Sequence, residues 1–356
     1  MYSYDIIEHG QPLQRVEKET PRPKGTEVLV RVTRCGVCHS DLHIWDGYFD
    51  LGGGKRFYVK DRGCVPPFTL GHEPFGVVEA LGPAARGVKR GAKRLVYPWI
   101  GCGRCAVCKA GQENYCLAPR FVGVMRPGGY ASHLLVPHPR YLVDTAGLDD
   151  GFAATLSCSG LTAYSATGKL PKLGPRDWVA VLGCGGLGLI GISILRAKGV
   201  RNVIACDIDP EKLAAAQRLG AKRTLDTRAP EAVRELQALA QGNLAAAIDF
   251  VGMPATVGLG FAALRKGGRL VLCGLFGGEI TLPLPPIAQR AVAVMGSYVG
   301  NLGELKEVVA LARRKKIAPM PVATQPAAEV NRALAALKTG AVLGRVALDF
   351  ETAAGR

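Results

Sequence analysis

The first stretch of clear periodicity predicts a β-strand. Residues 26–35 alternate apolar and polar side chains, which is typical of a strand with one buried face. Gly36 is expected to end this strand, so that Cys38 lies on a loop or at the start of a helix. Asp41 and His43 should then fall within a first helical turn.

The segment 46–68 is expected to form a surface loop, because three consecutive glycines at 52–54 favour flexible or left-handed turns. It joins Cys38 to His72, so it must run close to any site that these two residues share. It is therefore a candidate lid or substrate wall, although a loop without function would have the same composition.

The second half of the chain alternates short apolar runs with helical segments, the pattern of a parallel sheet covered by helices. A strand over 177–182 leads into a helix that ends near Lys198, and a second strand runs from Val203 to Asp207. Further on, the pattern predicts a helix near 231–240, a strand at 246–251, a helix near 255–265, strands at 268–273 and 291–298, helices at 302–316 and 327–338, and a strand at 344–350. The first lobe must then be built from the residues before this sheet, and the tail is expected to return to it.

Length and composition suit a two-domain protein. The chain has 356 residues with 48% hydrophobic content, which allows a sizeable core. The net charge of +16 would suit an anionic partner, but the basic residues are scattered and no nucleic-acid motif accompanies them. We therefore expect a solvated surface that attracts phosphate-bearing cofactors, and no nucleic acid. The absence of a targeting pattern or apolar span predicts a cytoplasmic protein without membrane contact.

Eleven cysteines are many for a reducing compartment, where clustered cysteines indicate metal more often than disulfides. Four of them follow the pattern C-x-x-C-x-x-C-x7-C: Cys102, Cys105, Cys108 and Cys116. Short gaps let successive thiolates surround one tetrahedral ion, and four sulfurs leave no open position. This set therefore predicts a structural zinc, with an iron–sulfur cluster or disulfides as alternatives.

A second metal site is predicted around Cys38, in the sequence Gly-Val-Cys-His-Ser-Asp-Leu-His. One thiolate cannot hold zinc alone, and His72 and Cys158 are the best candidate partners. Three protein ligands would leave a fourth position for water or substrate, as catalytic zinc requires. Taken singly, such a residue is more often an ordinary buried cysteine or a hydrogen-bonded histidine than a metal ligand.

The sequence Gly-Cys-Gly-Gly-Leu-Gly joins a predicted strand to a predicted helix and matches the dinucleotide-binding pattern G-x-G-x-x-G. The first glycine would make the tight turn, the second would let the backbone approach the pyrophosphate, and the third would allow close helix–strand packing. The helix N-terminus would offer free N–H groups to the phosphates. The predicted dinucleotide contacts are Gly183, Gly185, Gly186, Leu187 and Gly188.

Asp207 ends the next strand, close to the separation expected for an acid that binds the adenosine ribose. Its charge would repel the 2′-phosphate of NADP, and Ile208 rather than an arginine follows it, so NAD is the predicted cofactor. Lys212, one turn into the helix that begins at Pro210, could also reach the ribose.

With these motifs in order, the sequence resembles the zinc-dependent alcohol dehydrogenases of the medium-chain dehydrogenase/reductase superfamily over nearly its whole length. The resemblance is carried by Gly-Val-Cys-His-Ser-Asp-Leu-His, Gly-His-Glu-Pro-Phe-Gly-Val-Val, the four-cysteine lobe, Gly-Gly-Tyr-Ala at 128–131 and the glycine loop. It implies an α/β protein with a GroES-like, β-rich catalytic domain (1–158 and 297–356, with the structural-zinc lobe at about 97–118). It also implies a doubly wound Rossmann NAD-binding domain (159–296), an active site between the two, and a homodimer or homotetramer.

The resemblance also implies roles for single residues. By position, the catalytic zinc ligands are Cys38, His72 and Cys158, with Glu73 as an occasional alternate ligand. Asp41 is the carboxylate that orients the ligand histidine. Ser40 and His43 form a proton relay, and His39 and Arg345 lie near the cofactor pyrophosphate. The segment 46–68 is longer than the family's usual link, so it leaves the substrate open, and Cys64 within it has no assigned role.

The predicted function is reversible, NAD-linked oxidation of a primary or secondary alcohol to an aldehyde or ketone. Zinc would act as a Lewis acid on the hydroxyl, Ser40 would take its proton towards His43 by way of the cofactor ribose, and hydride would move to the nicotinamide. Trp99, with Tyr48 or Phe49, is expected to line the alcohol pocket.

Other interpretations stay open at this point. Ser40 could be a helix cap, His43 a surface histidine, and the aromatic residues ordinary core. For the whole protein, the alternatives are a polyol or secondary-alcohol dehydrogenase whose zinc shell is completed by Glu73, an NAD-binding protein without turnover, and a nucleic-acid binder supported only by charge.

Overall fold

The computed structural model of the protein describes residues 1–352, which form eighteen strands and eleven α-helices. The strands are β1 Tyr2–Ile6, β2 Gln14–Glu17, β3 Val28–Val37, β4 Tyr48–Gly52, β5 Lys55–Tyr58, β6 Phe68–Thr69, β7 Glu73–Leu81, β8 Lys93–Val96, β9 His133–Val136, β10 Leu142–Val143, β11 Trp178–Leu182, β12 Val203–Asp207, β13 Arg223–Asp226, β14 Leu244–Asp249, β15 Arg269–Leu272, β16 Ala293–Gly296, β17 Val322–Pro326 and β18 Arg345–Asp349. The helices are α1 His39–Asp46, α2 Ala106–Lys109, α3 Asp150–Thr155, α4 Leu161–Gly168, α5 Gly186–Ala197, α6 Pro210–Arg218, α7 Ala232–Leu239, α8 Pro254–Ala263, α9 Leu284–Arg290, α10 Leu302–Arg313 and α11 Val330–Lys338.

Six strands form a parallel sheet in the order β13-β12-β11-β14-β15-β16. This is the strand order of a doubly wound nucleotide-binding sheet, in which the order of strand addition reverses between β11 and β14. Every residue of β11 and β14 is buried, because apolar runs in a parallel sheet are covered by helices on both faces. The predicted α/β class is confirmed, and the predicted strands and helices of this half lie within a few residues of the observed ones.

A second, mostly antiparallel sheet has the order β10-β8-β7-β3-β18-β17, and β9 also pairs with β3. The strand β18 near the chain end lies antiparallel to β3, with Val346 opposite Val37. The tail therefore does return to the first half of the chain. The domain limits 1–158, 159–296 and 297–356 stay predictions, and residues 353–356 of the last segment lie outside the described residues.

Two local expectations are wrong. Gly36 does not end its strand, because β3 continues to Val37 and Gly36 pairs with residues on both neighbouring strands. The segment 46–68 is not a plain loop: β4 and β5 form an antiparallel hairpin, followed by a 3₁₀ turn over Val59–Arg62. The glycine triplet at 52–54 makes the hairpin turn, with φ of 83°, 56° and 75°.

The two large sheets share one apolar core. Its fully buried members include Val30 and Val32 of β3, Leu156 and Leu161 near the start of α4, and Ile190 of α5. This continuity holds the end of β3 at a fixed position relative to the start of α5. Every helix within residues 1–352 is too short or too polar to cross a bilayer.

Candidate active site

Cys38 lies at the junction of β3 and α1, as the residue that precedes the helix. Glu73 begins the neighbouring strand β7 and lies opposite Gly36 in the ladder. Glycine is required there, because a Cβ at Gly36 would lie 1.9 Å from a carboxylate oxygen of Glu73. The register of the sheet therefore brings Cys38 and His72 to the same end of two adjacent strands.

Cys158 reaches the same point from the π-helical turn Leu156–Gly160, which joins α3 to α4. Such turns occur mainly as single insertions in helices and are frequent at functional sites. One donor atom from each residue of the set lies within 4.8 Å of all the others, and all four residues are buried. The set is Cys38, His72, Glu73 and Cys158.

The geometry of this set fits a zinc ion. The Sγ atoms of Cys38 and Cys158 are 3.8 Å apart. Two thiolates on one tetrahedral zinc are expected to be separated by about the same distance, whereas a disulfide is close to 2 Å. The Nε2 atom of His72 is buried and has no hydrogen-bond partner among residues 1–352. A buried nitrogen without a partner costs free energy unless it binds something, and a metal is what this donor set suits.

The two sulfurs differ in their protonation. The hydrogen bond between them lowers the pKa of Cys38 well below its usual value and raises the pKa of Cys158. The positive charge of Arg345 lowers the pKa of Cys38 further. These effects favour the thiolate form of Cys38, which is the form that binds metal.

A buried carboxylate organises the cluster. The Oδ2 atom of Asp41 accepts hydrogen bonds from the Cys38 backbone N–H at 2.9 Å and from the Tyr130 hydroxyl at 3.0 Å. Its Oδ1 atom lies 3.1 Å from Nδ1 of His72. A proton on Nδ1 leaves Nε2 as the free donor atom, which is the tautomer that a metal ligand needs. Tyr130 belongs to the motif at 128–131, but no role for it was predicted from the sequence.

Arg345 connects the metal-binding cluster to the glycine loop. Its guanidinium forms a buried ion pair with the carboxylate of Glu73. The aliphatic part of its side chain lies against Gly186, where an added Cβ would be 2.2 Å from the arginine Cδ. The other oxygen of Glu73, Oε2, is buried without a hydrogen-bond partner in the described part of the chain.

The predicted relay residues lie along α1. The ring of His39 stacks on Phe276 with centroids 4.0 Å apart, and the ring of His43 stacks on Phe49 at 4.6 Å. Burial, followed by the nearby His39, lowers the pKa of His43 to about 4. Its Nε2 atom is buried and, within residues 1–352, has no partner. Ser40 is half-buried on the same helix. The lowered pKa leaves the His43 imidazole neutral near pH 7.

The glycine loop has the conformation that its sequence predicts. It connects β11 to α5, and Gly183 has a φ of 85°. A Cβ at Gly188 would lie 1.9 Å from the carbonyl oxygen of Gly183, so only glycine allows the helix to pack this closely on the turn. The backbone of Gly186 and Leu187 forms the first turn of α5, where N–H groups have no helical partner.

Asp207 is fixed beside this loop. Its Oδ2 accepts a hydrogen bond from the Cys184 N–H at 2.6 Å, and its Oδ1 accepts from the N–H groups of Ile208 and Asp209. Lys212 donates to the carbonyl of Gly340 at 3.0 Å. Contact of Asp207 and Lys212 with a ribose stays a prediction.

The four-cysteine lobe is assembled as a second metal site. One Sγ atom from each of Cys102, Cys105, Cys108 and Cys116 lies within 4.8 Å of the others. The sulfur pairs Cys102–Cys108 and Cys105–Cys116 are both 3.9 Å apart, so neither is a disulfide. Backbone N–H groups that point at the sulfur lower the pKa of Cys102 to about 6. A tetrahedral zinc fits these four donors.

Of the three predicted pocket residues, two lie beside the site. Phe49 stacks on His43, and the ring of Trp99 is 5.4 Å from that of His72, with its Nε1 donating to the Ser157 carbonyl. The Tyr48 ring instead lies under the guanidinium of Arg56, at 3.9 Å.

Two further aromatic residues, which lie beside Trp99, were not predicted from the sequence. Phe121 and Tyr298 lie 5.4 Å and 6.2 Å from Trp99, ring to ring. They belong to different parts of the chain, and no local pattern in the sequence brings them together.

The hairpin β4–β5 docks on the loop that follows β15. The N–H of Gly278 donates to the carbonyl of Asp50 at 3.4 Å. A Cβ at Gly52 would lie 2.6 Å from the backbone nitrogen of Glu279, and one at Gly277 would lie 2.7 Å from the Asp50 carbonyl. Together with the His39–Phe276 stack, this contact covers the carboxyl end of the parallel sheet, where nucleotides bind in doubly wound folds.

Two family models match the chain. The first half matches the alcohol dehydrogenase GroES-like domain over residues 24–146, and the second half matches the zinc-binding dehydrogenase domain over residues 186–314. Among characterised relatives, NAD-dependent alcohol dehydrogenase from Sulfurisphaera tokodaii is 36% identical over 350 residues, which cover 98% of this chain and 99% of the relative. The NAD-dependent alcohol dehydrogenase from Saccharolobus solfataricus is 34% identical with the same coverage.

Solved structures of alcohol dehydrogenases superpose on this chain over nearly its whole length. The alcohol dehydrogenase from Aeropyrum pernix superposes with a TM-score of 0.89 at 33% identity, covering 98% of this chain and all of the other. A cobalt- and zinc-bound alcohol dehydrogenase from Pyrobaculum aerophilum gives a TM-score of 0.84 at 29% identity, covering 98% of this chain and 99% of the other.

Proposed function

The chain belongs to the family of zinc-binding alcohol dehydrogenases, and from this premise we propose that Cys38, His72 and Cys158 hold its catalytic zinc. The protein is an NAD-linked, zinc-dependent alcohol dehydrogenase. The observation that carries the residue assignment is the buried set of two sulfurs and one unpartnered imidazole nitrogen beside the glycine loop. We also propose that Cys102, Cys105, Cys108 and Cys116 hold a structural zinc.

Zinc supplies Lewis acidity that makes an alcohol hydroxyl easier to deprotonate, and NAD supplies the hydride acceptor. The residues of the chain provide position and proton transfer. Asp41 holds His72 with Nε2 directed at the cluster, and its bond to the Cys38 N–H fixes the start of α1. Arg345, between Glu73 and the glycine loop, holds the metal-binding set at a fixed place relative to the cofactor loop.

Ser40 and His43 are proposed to carry the alcohol proton out of the site. They are three residues apart on α1, so they share one face of the helix. The Ser40 hydroxyl accepts the substrate proton and gives up its own proton, which passes on towards Nε2 of His43. Burial lowers the pKa of this imidazole to about 4, so His43 would release the proton to solvent rather than keep it at neutral pH.

NAD is proposed to lie along the glycine loop from Gly183 to Gly188. The pyrophosphate would meet the N–H groups at the start of α5, with Arg345 and His39 nearby. The adenosine ribose would lie against Asp207, within reach of Lys212. The charge of Asp207 next to Ile208 favours NAD over NADP.

Replacing Cys38 tests the catalytic assignment. We expect Cys38→Ser to lose NADH formation from alcohols and one of two zinc equivalents while NADH binding, followed by fluorescence titration, is retained. Cys64→Ser is the matched control, because Cys64 is buried but belongs to neither group of metal-competent residues. Turnover and two zinc equivalents retained in Cys38→Ser would contradict the proposal.

We further propose a homodimer or homotetramer. All four residues of the edge strand β16 are exposed, including the apolar Val294 and Met295. The adjacent helix α9 has no buried residue, and its Leu284 is 77% exposed. An apolar sheet edge of this kind invites pairing with a second copy. Light scattering during size-exclusion chromatography would measure the assembly.

Domain division and location are also proposals. The antiparallel sheet that contains β18 supports a catalytic domain of 1–158 and 297–356, and the parallel sheet supports a cofactor domain of 159–296. The free cysteines support a reducing, cytoplasmic location. Differential scanning calorimetry with and without NAD tests the division, and cell fractionation tests the location.

A further inference from the structure

Arg62 is a cation that no carboxylate neutralises in the part of the chain that the structure describes. It ends the 3₁₀ turn after β5, and its guanidinium lies over the ring of Phe57 at 4.5 Å. Among residues 1–352 it forms no ion pair and no side-chain hydrogen bond, although its chain neighbour is Asp61. An exposed arginine held on an aromatic ring keeps its edge of N–H donors available to a ligand.

One row of aromatic contacts leads from Arg62 to the proton relay. The ring of Phe57 is 6.4 Å from that of Phe49, and Phe49 in turn stacks on His43 at 4.6 Å. The hairpin therefore places Arg62 two rings away from the histidine that is proposed to accept the substrate proton.

The charge of Arg62 also acts on an aromatic residue beside the metal-binding set. Burial raises the pKa of Tyr298 to about 12, and the positive charge of Arg62 acts in the opposite direction. The Tyr298 ring is 6.2 Å from Trp99, and Trp99 is 5.4 Å from His72. Arg62 thus lies two aromatic rings from His43, and its charge also acts on Tyr298.

We propose that Arg62 selects alcohols that carry a carboxylate at the end remote from the hydroxyl, such as ω-hydroxycarboxylic acids. The inference rests on the proposed function and deepens it by naming a substrate class. The hydroxyl is held at the metal-binding set, the aliphatic middle contacts the rings of Phe57, Tyr298 and Trp99, and the carboxylate binds the guanidinium. A planar carboxylate matches the fork of N–H donors, and two parallel charge-assisted hydrogen bonds give both affinity and direction.

The test compares matched substrates in matched variants. NADH formation is measured for ω-hydroxycarboxylates of four to eight carbons, and for 1-alkanols and ω-amino alcohols of the same lengths. The proteins are wild type, Arg62→Met, Arg62→Glu and Lys60→Met. Lys60 is the control because it lies on the same turn but contacts a different ring, Tyr58. Melting temperatures of all four proteins show whether each variant is folded.

For one chain length, wild type should oxidise the ω-hydroxycarboxylate with a higher kcat/KM than the 1-alkanol of the same length. In Arg62→Met this preference, as a ratio of kcat/KM values, should fall by about tenfold, mainly through a higher KM, because the ion pair is made equally in the ground and transition states. Arg62→Glu should prefer an amino alcohol instead, and Lys60→Met should keep the wild-type ratio.

The proposal is overturned if wild type oxidises 1-alkanols without any preference for the carboxylates. It is also overturned if Lys60→Met loses the preference as fully as Arg62→Met, because diffuse surface charge would then explain it. If no alcohol of either kind is oxidised, the proposed function itself fails, so the two failures are distinguishable.

Discussion

Asp41→Asn should loosen the catalytic metal site without removing any metal ligand. The Asp41 carboxylate accepts three hydrogen bonds, from the Cys38 N–H, the Tyr130 hydroxyl and Nδ1 of His72. All three partners are donors, and an asparagine has only one oxygen to offer them. Its amide N–H₂ must therefore face at least one donor.

The free-energy cost of the substitution depends on which donor loses its acceptor. The Tyr130 hydroxyl can rotate and accept a bond, but the Cys38 N–H and the Nδ1–H of His72 cannot. One of these stays unpaired in a fully buried place, which costs about 1–3 kcal/mol. A partner of a ligating histidine typically contributes about 10- to 100-fold in metal affinity, equivalent to about 1.4–2.8 kcal/mol, so the two measures agree.

The assay is competition for zinc with a chelator of known affinity, followed by elemental analysis. We expect one zinc per subunit to become 10- to 100-fold easier to remove, while the zinc of the four-cysteine lobe stays as in wild type. The control is Asp46→Asn, the same substitution on the same helix, where the carboxylate pairs with Lys338 at the surface. If Asp41→Asn releases zinc no faster than Asp46→Asn, Asp41 does not orient His72.

Two other predictions concern the cofactor and the relay. Asp207→Gly should shift the ratio of kcat/KM values towards NADP by removing a charge that repels the 2′-phosphate; an unchanged ratio in coenzyme-saturation kinetics would remove Asp207 from this role. His43 has a folded-state pKa of about 4, against its usual value of 6.5, so the unfolded chain binds more protons between these values and stability should fall as pH drops through this window. His43→Gln should flatten the dependence of melting temperature on pH there, and an unchanged slope would show that His43 does not titrate in this way.

The sequence predicted elements well where one local pattern decides the structure. The strands β11 and β14 are continuous apolar runs, and burial on both faces leaves such runs little alternative. The edge strand β13, Arg-Thr-Leu-Asp, has one buried residue among four, so its composition did not distinguish it from a loop. The hairpin β4–β5 was missed for a related reason: its residues are mostly exposed, and its glycine tip is held by residues 277–279, far along the chain.

The ligand set was predictable from residue chemistry, but its supporting contacts were not. Cysteine and histidine are usual zinc ligands, and the motifs around them resemble those of a known family, so Cys38 and His72 could be proposed from the sequence. Tyr130, Phe276 and Arg62 have no such signature. Each of them reaches the site only when separate segments pack against each other, so no local sequence motif identifies it.

One strand ladder explains why the metal-binding set and the cofactor loop lie together. In β3, Gly36 lies opposite Glu73 on one side and Ala347 on the other, so Arg345 begins β18 at the level of Cys38. A slip of one residue in β18 would turn Arg345 to the opposite face of the sheet, because side chains alternate along a strand. Both the ion pair with Glu73 and the contact with Gly186 would then be lost. The spacing between the metal-binding set and the glycine loop is thus set by the hydrogen-bond register of β3 with its two neighbouring strands.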